Sequence, residues 1–107
     1  MKNINKISVV IPVYNEEENL GDFYGELSAA MKNTGKEYEI VFVDDSSTDS
    51  SFKILENIFN EDKRAEIVSL LGNQGQTMAL AAGFRAASGD VIVAMDGDGQ
   101  HDPKYIP

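Results

Sequence analysis

The chain has no cysteine, a single histidine and only three prolines in 107 residues. Without cysteine, disulfides and thiolate metal sites are excluded, and thiol usage leaves the redox compartment open. No apolar run approaches the roughly 18 residues that a membrane-crossing helix needs. Lys2 and Lys6 stand near the start, but the apolar stretch after them is short and broken by Pro12, which is not the pattern of a signal peptide. A cytoplasmic setting is the expectation. Basic residues are scarce as well: nine against eighteen acidic, a formal net charge of −9. That field repels nucleic acid and anionic lipid, so neither is expected as a direct partner of this segment. It would also repel a diphosphate, which makes a bridging cation more necessary. The glycine signatures of phosphate-binding loops, G-x-G-x-x-G and G-x-x-x-x-G-K-[ST], are absent.

What remains is ordinary for a folded domain: 42% hydrophobic and 25% charged. The length allows one domain at most, or a piece of one, with a core that buries somewhat over roughly 60% of the unfolded surface. Strand and helix signals alternate. Ile7–Val13 reads as a strand. Glu16 to about Lys32 reads as a helix, with Leu20, Phe23, Tyr24, Leu27 and Met31 on one face, Asn15 as N-cap and Glu18 in the capping-box position. Tyr38–Val43 is a second strand. A helix over about Asp49–Asn60 follows, capped by Ser46 or Ser47 and burying Phe52, Leu55, Ile58 and Phe59. Glu66–Leu71 is a third strand and Leu71–Gly75 a turn. Gln76–Ala87 is an alanine-rich helix whose small residues suit close packing on a sheet, with Met78 and Phe84 expected in the core. Asp90–Met95 is the fourth strand.

Strands separated by helices of this length predict βαβ units, and near-continuous apolar strands predict a sheet covered on both faces. The expected fold is α/β: three layers, α/β/α, around a mostly parallel sheet. Ligands of such sheets lie beyond the carboxyl ends of the strands. Four polar clusters fall there: Pro12–Glu16, Asp44–Asp49, Gly72–Gln76 and Asp96–Asp102.

The last cluster carries the sharpest chemistry. Asp96 and Asp98 are spaced i, i+2, so in extended backbone they face one side, and Gly97 lets the chain bend between them. Two hard oxygen ligands with open positions left over suit Mg²⁺ or Mn²⁺ shared with a phosphorylated small molecule. The alternative is a polar turn of solvated carboxylates. His101 adjoins this turn and is a candidate for a role there. Asp44 and Asp45 could accept hydrogen bonds from a base N–H or from ribose hydroxyls; the alternative is helix capping. Tyr14 could stack on a base or be plain core. Glu16, Glu17 and Glu18, read in the first turn of a helix, favour that helix but oppose an anion bound there. Asp102-Pro103 has the form of a helix start. With the chain ending at Pro107, the expectation is the N-terminal part of a longer protein.

Five segments, in order, resemble family 2 glycosyltransferases: Ser8–Leu20 with Pro12, Tyr14, Asn15 and Glu16; Val43–Asp49; Asn73-x-Gly75; Ala82–Asp90; and Met95–Pro103. The flavour is that of dolichyl-phosphate mannose synthases and undecaprenyl-phosphate sugar transferases. The resemblance implies a GT-A fold of which this chain is the nucleotide-binding half, a nucleotide-sugar donor (UDP- or GDP-linked) and a divalent metal. It implies a nucleoside site near Pro12, Tyr14, Glu16 and Asp45, to which Asn15, Asp44 and Asp96 are added as nucleotide-binding candidates, and a metal held by Asp96, Asp98 and Gln100. It favours a polyprenyl-phosphate acceptor, with any membrane contact made by segments after residue 107. The implied reaction is an inverting displacement at the anomeric carbon, and the catalytic base is expected after residue 107, so no catalytic base is assigned within the chain. Most relatives have glycine at the position of Ser46 and commonly an arginine near Leu71-Gly72. A receiver-like Mg²⁺-binding signalling module and a non-catalytic nucleotide-binding domain are the alternatives. Against the first, the paired acids follow the second strand rather than the first.

Overall fold

The computed structural model describes residues 5–95. Seven elements alternate along them: β1 (Lys6–Val13), α1 (Leu20–Asn33), β2 (Glu37–Asp44), α2 (Ser51–Glu61), β3 (Ala65–Ser69), α3 (Gln76–Ala86) and β4 (Val91–Ala94). The strands form one parallel sheet in the order β3-β2-β1-β4. Strands cannot be parallel and adjacent in space without crossover connections, and the helices supply them.

Alternation along the strands sorts the core into two faces. Val9, Ile11 and Val13 of β1 join Ile40 and Phe42 of β2 beneath Leu20, Phe23, Leu27 and Met31 of α1 and Leu55 and Ile58 of α2. The intervening Val10, Val41 and Val43 face α3 and pack on Ala79 and Ala82. Each central strand is therefore apolar on both sides, which explains the near-continuous hydrophobic runs. On the α3 face the fit is close. A Cβ built on Gly83 would lie 2.2 Å from Val10 Cγ1 and 3.1 Å from Val43 Cγ2.

A polar tie closes the amino end of that face. Ser8 and Glu39 are paired across β1 and β2. The buried Glu39 carboxylate accepts from Ser8 Oγ (2.5 Å) and from the Ser88 N–H (2.7 Å), while Lys6 Nζ stands 3.6 Å from its other oxygen. Ser8 Oγ in turn accepts from the Gly89 N–H at 2.8 Å. Burial pushes the Glu39 carboxyl up, but the Ser8 and Ser88 hydrogen bonds and the Lys6 charge outweigh it and hold the group below its ordinary value.

Several expectations need correction. The first helix begins at Leu20, not Glu16, and its cap position is Asn19. Asn15 is no N-cap: it turns the chain at φ 50°, and residues 17–19 form a turn before the helix. Glu16, Glu17 and Glu18 therefore lie ahead of the helix, where only Asp22 is acidic in the first turn. The second helix starts at Ser51, and neither Ser46 nor Ser47 caps it; Ser50 occupies that position without a side-chain bond. Phe52 and Phe59 are exposed, because Ser51, Leu55 and Ile58 take the inward stripe and the next residue lies about 100° further round. Met78 and Phe84 are exposed by the same rule, on a helix that turns Ala79, Ala82 and Gly83 inward. The third strand ends at Ser69, leaving Leu71 in the loop, 92% exposed.

Candidate functional site

Because all four strands are parallel and in register, their carboxyl ends meet at one edge. Val13 of β1 lies level with Asp44 of β2 and Ser69 of β3, and Ala94 of β4 lies beside Val10. Chain order reverses around β1: α1 leads away to β2, while α3 returns from β3 to β4 on the other side of β1. The crevice between β1 and β4 is thus the strand-order switch point, where sheets of this kind bind ligands.

Three loops are described at this edge. The β1–α1 loop leaves Pro12 half-buried and Tyr14 42% exposed, so Tyr14 is not core and its ring is available to a ligand. Beyond it, Asn15 Oδ1 accepts from the N–H groups of Thr48 (2.8 Å) and Asp49 (3.3 Å). In return the Asn15 N–H donates to Ser47 Oγ (3.0 Å), the Glu16 N–H to Ser51 Oγ (2.8 Å) and the Glu17 N–H to Asp49 Oδ2 (3.2 Å). Asp49 Oδ1 receives the Ser51 N–H at 2.8 Å. The slight burial of Asp49 raises its carboxyl, but the bonds from Ser51 and Glu17 win and hold it below the usual carboxylate range.

Two buried acids stand where β2 passes into the β2–α2 loop: Asp44 ends the strand and Asp45 opens the loop. Asp45 ties its loop to the third one: its Oδ1 accepts the Gln74 N–H (2.8 Å) and its Oδ2 the Gly75 N–H (2.9 Å). Gly75 immediately precedes α3 with φ 89° and ψ 161°, a conformation that essentially only glycine holds, so Asp45 fixes where α3 begins. Each oxygen keeps a further lone pair, which leaves the carboxylate able to accept from a ligand as well. Asp44 differs. Its main-chain oxygen accepts the Leu70 N–H at 2.9 Å, but its buried Oδ1 has no hydrogen-bond partner. A buried carboxylate oxygen left unpaired is costly, and it calls for a partner such as a water, an ion or a ligand group; the Tyr38 hydroxyl, near the amino end of β2, is buried without a partner as well.

The structure therefore brings Pro12, Tyr14, Asn15, Glu16, Asp44 and Asp45 to one edge. Asp96, Asp98, Gln100 and His101 lie outside the described residues, as does the expected helix start at Asp102-Pro103. Among the described residues no group of three or more His, Cys, Asp or Glu side chains could hold a metal ion. The residues that sequence reasoning missed are the ones binding loop to loop: Thr48, Asp49 and Ser51, with Ser47 in a role other than the expected cap. Their signal was the density of short polar side chains in Asp44–Ser51, which reads equally well as capping.

A parallel sheet with helices on both faces and acidic residues at its carboxyl edge defines the class: an α/β domain of the doubly wound kind. Residues 8–107 match the model of glycosyl transferase family 2, and the chain belongs to that family. This displaces the receiver-like alternative. The chain is 45% identical over 107 residues to the undecaprenyl-phosphate 4-deoxy-4-formamido-L-arabinose transferase of Proteus mirabilis, covering 99% of this chain and 33% of the relative. Identity to the transferase of the same name from Pseudomonas fluorescens is 43%, over 97% of this chain and 31% of that protein. The chain thus spans about a third of the length of the curated relatives it matches. Among solved structures, residues 1–349 of S. aureus TarS with UDP-GlcNAc superpose with a TM-score of 0.75 at 28% identity, over 87% of this chain and 26% of that one. The mannosyltransferase PcManGT of Pyrobaculum calidifontis, in complex with GDP-Man and Mn²⁺, gives a TM-score of 0.74 at 23% identity, over 86% of this chain and 27% of that one; this likeness is one of fold. The expected GT-A architecture is thereby borne out.

Proposed function

We propose that this chain is the N-terminal, donor-binding part of a single glycosyltransferase domain, taking a UDP- or GDP-linked sugar at the carboxyl edge of its sheet. The observation that carries the reading is the placement of Tyr14, Glu16, Asp44 and Asp45 at and just beyond the ends of β1 and β2, on the carboxyl edge of the sheet, in a chain of this family. The exposed Tyr14 ring stacks on the base beside Pro12, while Asp44 and Asp45 accept from base N–H or ribose hydroxyl groups. Asp96, Asp98 and Gln100 would hold Mg²⁺ or Mn²⁺, and Asp96 would also border the nucleotide. The metal, when bound, supplies positive charge against the diphosphate leaving group. In a chain of net charge −9, with Glu16, Glu17 and Glu18 beside the site, that countercharge is the main counterweight to repulsion of the diphosphate.

The reaction proposed for the whole protein is an inverting displacement at the anomeric carbon by an acceptor that a carboxylate base activates. No residue of this chain is assigned as that base, so binding without sugar transfer is expected of the chain alone. The names of its relatives favour a polyprenyl-phosphate acceptor, met at the cytoplasmic face of a membrane through other segments of the protein. No helix among the described residues is long and apolar enough to cross a membrane.

Calorimetric titration with UDP and GDP, with and without Mn²⁺, on this chain and on Asp98→Ala tests the reading. Metal-dependent binding of one nucleotide, lost in the variant, is the expected result. Failure of both nucleotides to bind the full-length protein in the presence of Mn²⁺ would overturn it.

A further inference from the structure

Asn15 sits within the proposed nucleotide edge, yet its hydrogen bonds run to the β2–α2 loop. Its Oδ1 receives the N–H groups of Thr48 and Asp49 and also lies 3.4 Å from Thr48 Oγ1. A side-chain carbonyl has two lone pairs, so three donors saturate it. Its own N–H is held by Ser47 Oγ. The next two N–H groups, of Glu16 and Glu17, also cross to the β2–α2 loop, reaching Ser51 Oγ and Asp49 Oδ2. Donors and acceptors thus run in both directions between two loops some thirty positions apart in sequence. Both loops turn through the left-handed region, at Asn15 (φ 50°) and Ser46 (φ 61°). Asparagine is among the few side chains that adopt this conformation readily, and here its amide oxygen is aimed across the gap by the same turn.

We propose that Asn15 is a positioning residue: its side-chain oxygen clamps the β1–α1 loop to the β2–α2 loop and so fixes Tyr14 relative to Asp44 and Asp45, without itself touching the nucleotide. The proposal rests on the nucleotide-site reading given above. Its physical content is pre-organisation. The two loops carry the groups that would hold the base from different strands, and each is short and solvent-facing. Clamped together, they present one rigid wall; released, they must be ordered by the ligand, which lowers affinity.

Two substitutions separate the clamp from a direct contact. Asn15→Gly keeps the left-handed turn and removes the acceptor. Asn15→Asp keeps both the turn and an acceptor oxygen, but replaces the amide NH₂ with charge. Site-resolved amide hydrogen exchange and UDP and GDP titration with Mn²⁺ are measured on the 107-residue chain and both variants. The expected result for Asn15→Gly is faster exchange at Thr48 and Asp49 by about tenfold, unchanged exchange at Val10 and Phe42, and nucleotide affinity weaker by about tenfold. Asn15→Asp restores both to within about threefold of the unaltered chain. Unchanged exchange in Asn15→Gly overturns the clamp. Faster exchange with unchanged affinity overturns its positioning role. Native-like exchange with lost affinity in Asn15→Asp marks Asn15 as a direct contact instead. If the unaltered chain binds neither nucleotide, the same titration on the full-length protein and its Asn15→Gly variant decides: binding weakened by about tenfold in the variant supports the positioning role, equal binding overturns it, and binding by neither overturns the site reading itself.

Discussion

Ser46 turns the chain at φ 61°, where an L side chain crowds the following carbonyl at a cost of roughly 1–2 kcal/mol. Glycine adopts this conformation freely but loses roughly 0.5–1 kcal/mol of extra backbone entropy on folding. The balance favours glycine. Ser46→Gly is therefore expected to stabilise the chain by about 0.5–1 kcal/mol, read as a higher denaturant midpoint at unchanged slope. A lower midpoint would mean that the Ser46 side chain makes a contact outweighing its backbone strain. Asp45 shows the limit of residue-level reading. Its type and position marked it as a hydrogen-bond acceptor at the edge, but not that it would hold the Gln74 and Gly75 N–H groups at the start of α3. That contact joins positions 45 and 75, and nothing local to either announces it.

At the scale of elements, α3 is decided by what it lacks. Gly83 lets its backbone approach Val10 and Val43 so closely that no Cβ fits. Gly83→Ala forces the helix outward or Val10 out of its rotamer, at an expected loss of about 1–3 kcal/mol in chemical denaturation. Ordinary exposed helix positions gain from the same change, so a stabilised Gly83→Ala would show that α3 lies further from the sheet. The alanines predicted this closeness, because small side chains in a helix with strands on either side have few other uses. Helix starts were less legible. Asn15 followed by Glu18 satisfies the local pattern of a capping box, but the loop-to-loop bonds of Asn15 hold the chain in a left-handed turn and delay α1 to Leu20. Tertiary hydrogen bonds, invisible in a local window, outcompeted the cap. The phenylalanines of α2 misled for a related reason: hydrophobicity identifies a helix face only to within a residue or two, and packing against a curved sheet selects Leu55 and Ile58 within it.

Across the whole molecule, the two ends of the sheet have different work. The carboxyl edge holds the loops of the site; the amino end is bound by Glu39, which joins β1, β2 and the α3–β4 connection through Ser8, Ser88 and Lys6. The folded-state value of the Glu39 carboxyl lies below the ordinary 4.5. Its contribution is thus fully present above that ordinary value and is lost as pH falls through it toward the folded value. Denaturation followed from pH 7 to about pH 3 should show falling stability over this acid range. Glu39→Gln should be less stable at pH 7 and should fall less steeply there. An acid limb of equal slope in the variant would assign the dependence to other carboxylates.

The residue order by itself determined the α/β class, the four strands and three helices, the gathering of polar clusters at one edge and the family. Each of these follows from periodicities and short motifs that act over one or two turns of chain. Strand order, the depth of α3 on the sheet and the partners of Asn15, Asp45 and Glu39 were decided only in the tertiary structure. They depend on contacts between residues about twenty-five or more positions apart, and a local pattern specifies that a group must be satisfied without specifying by which partner.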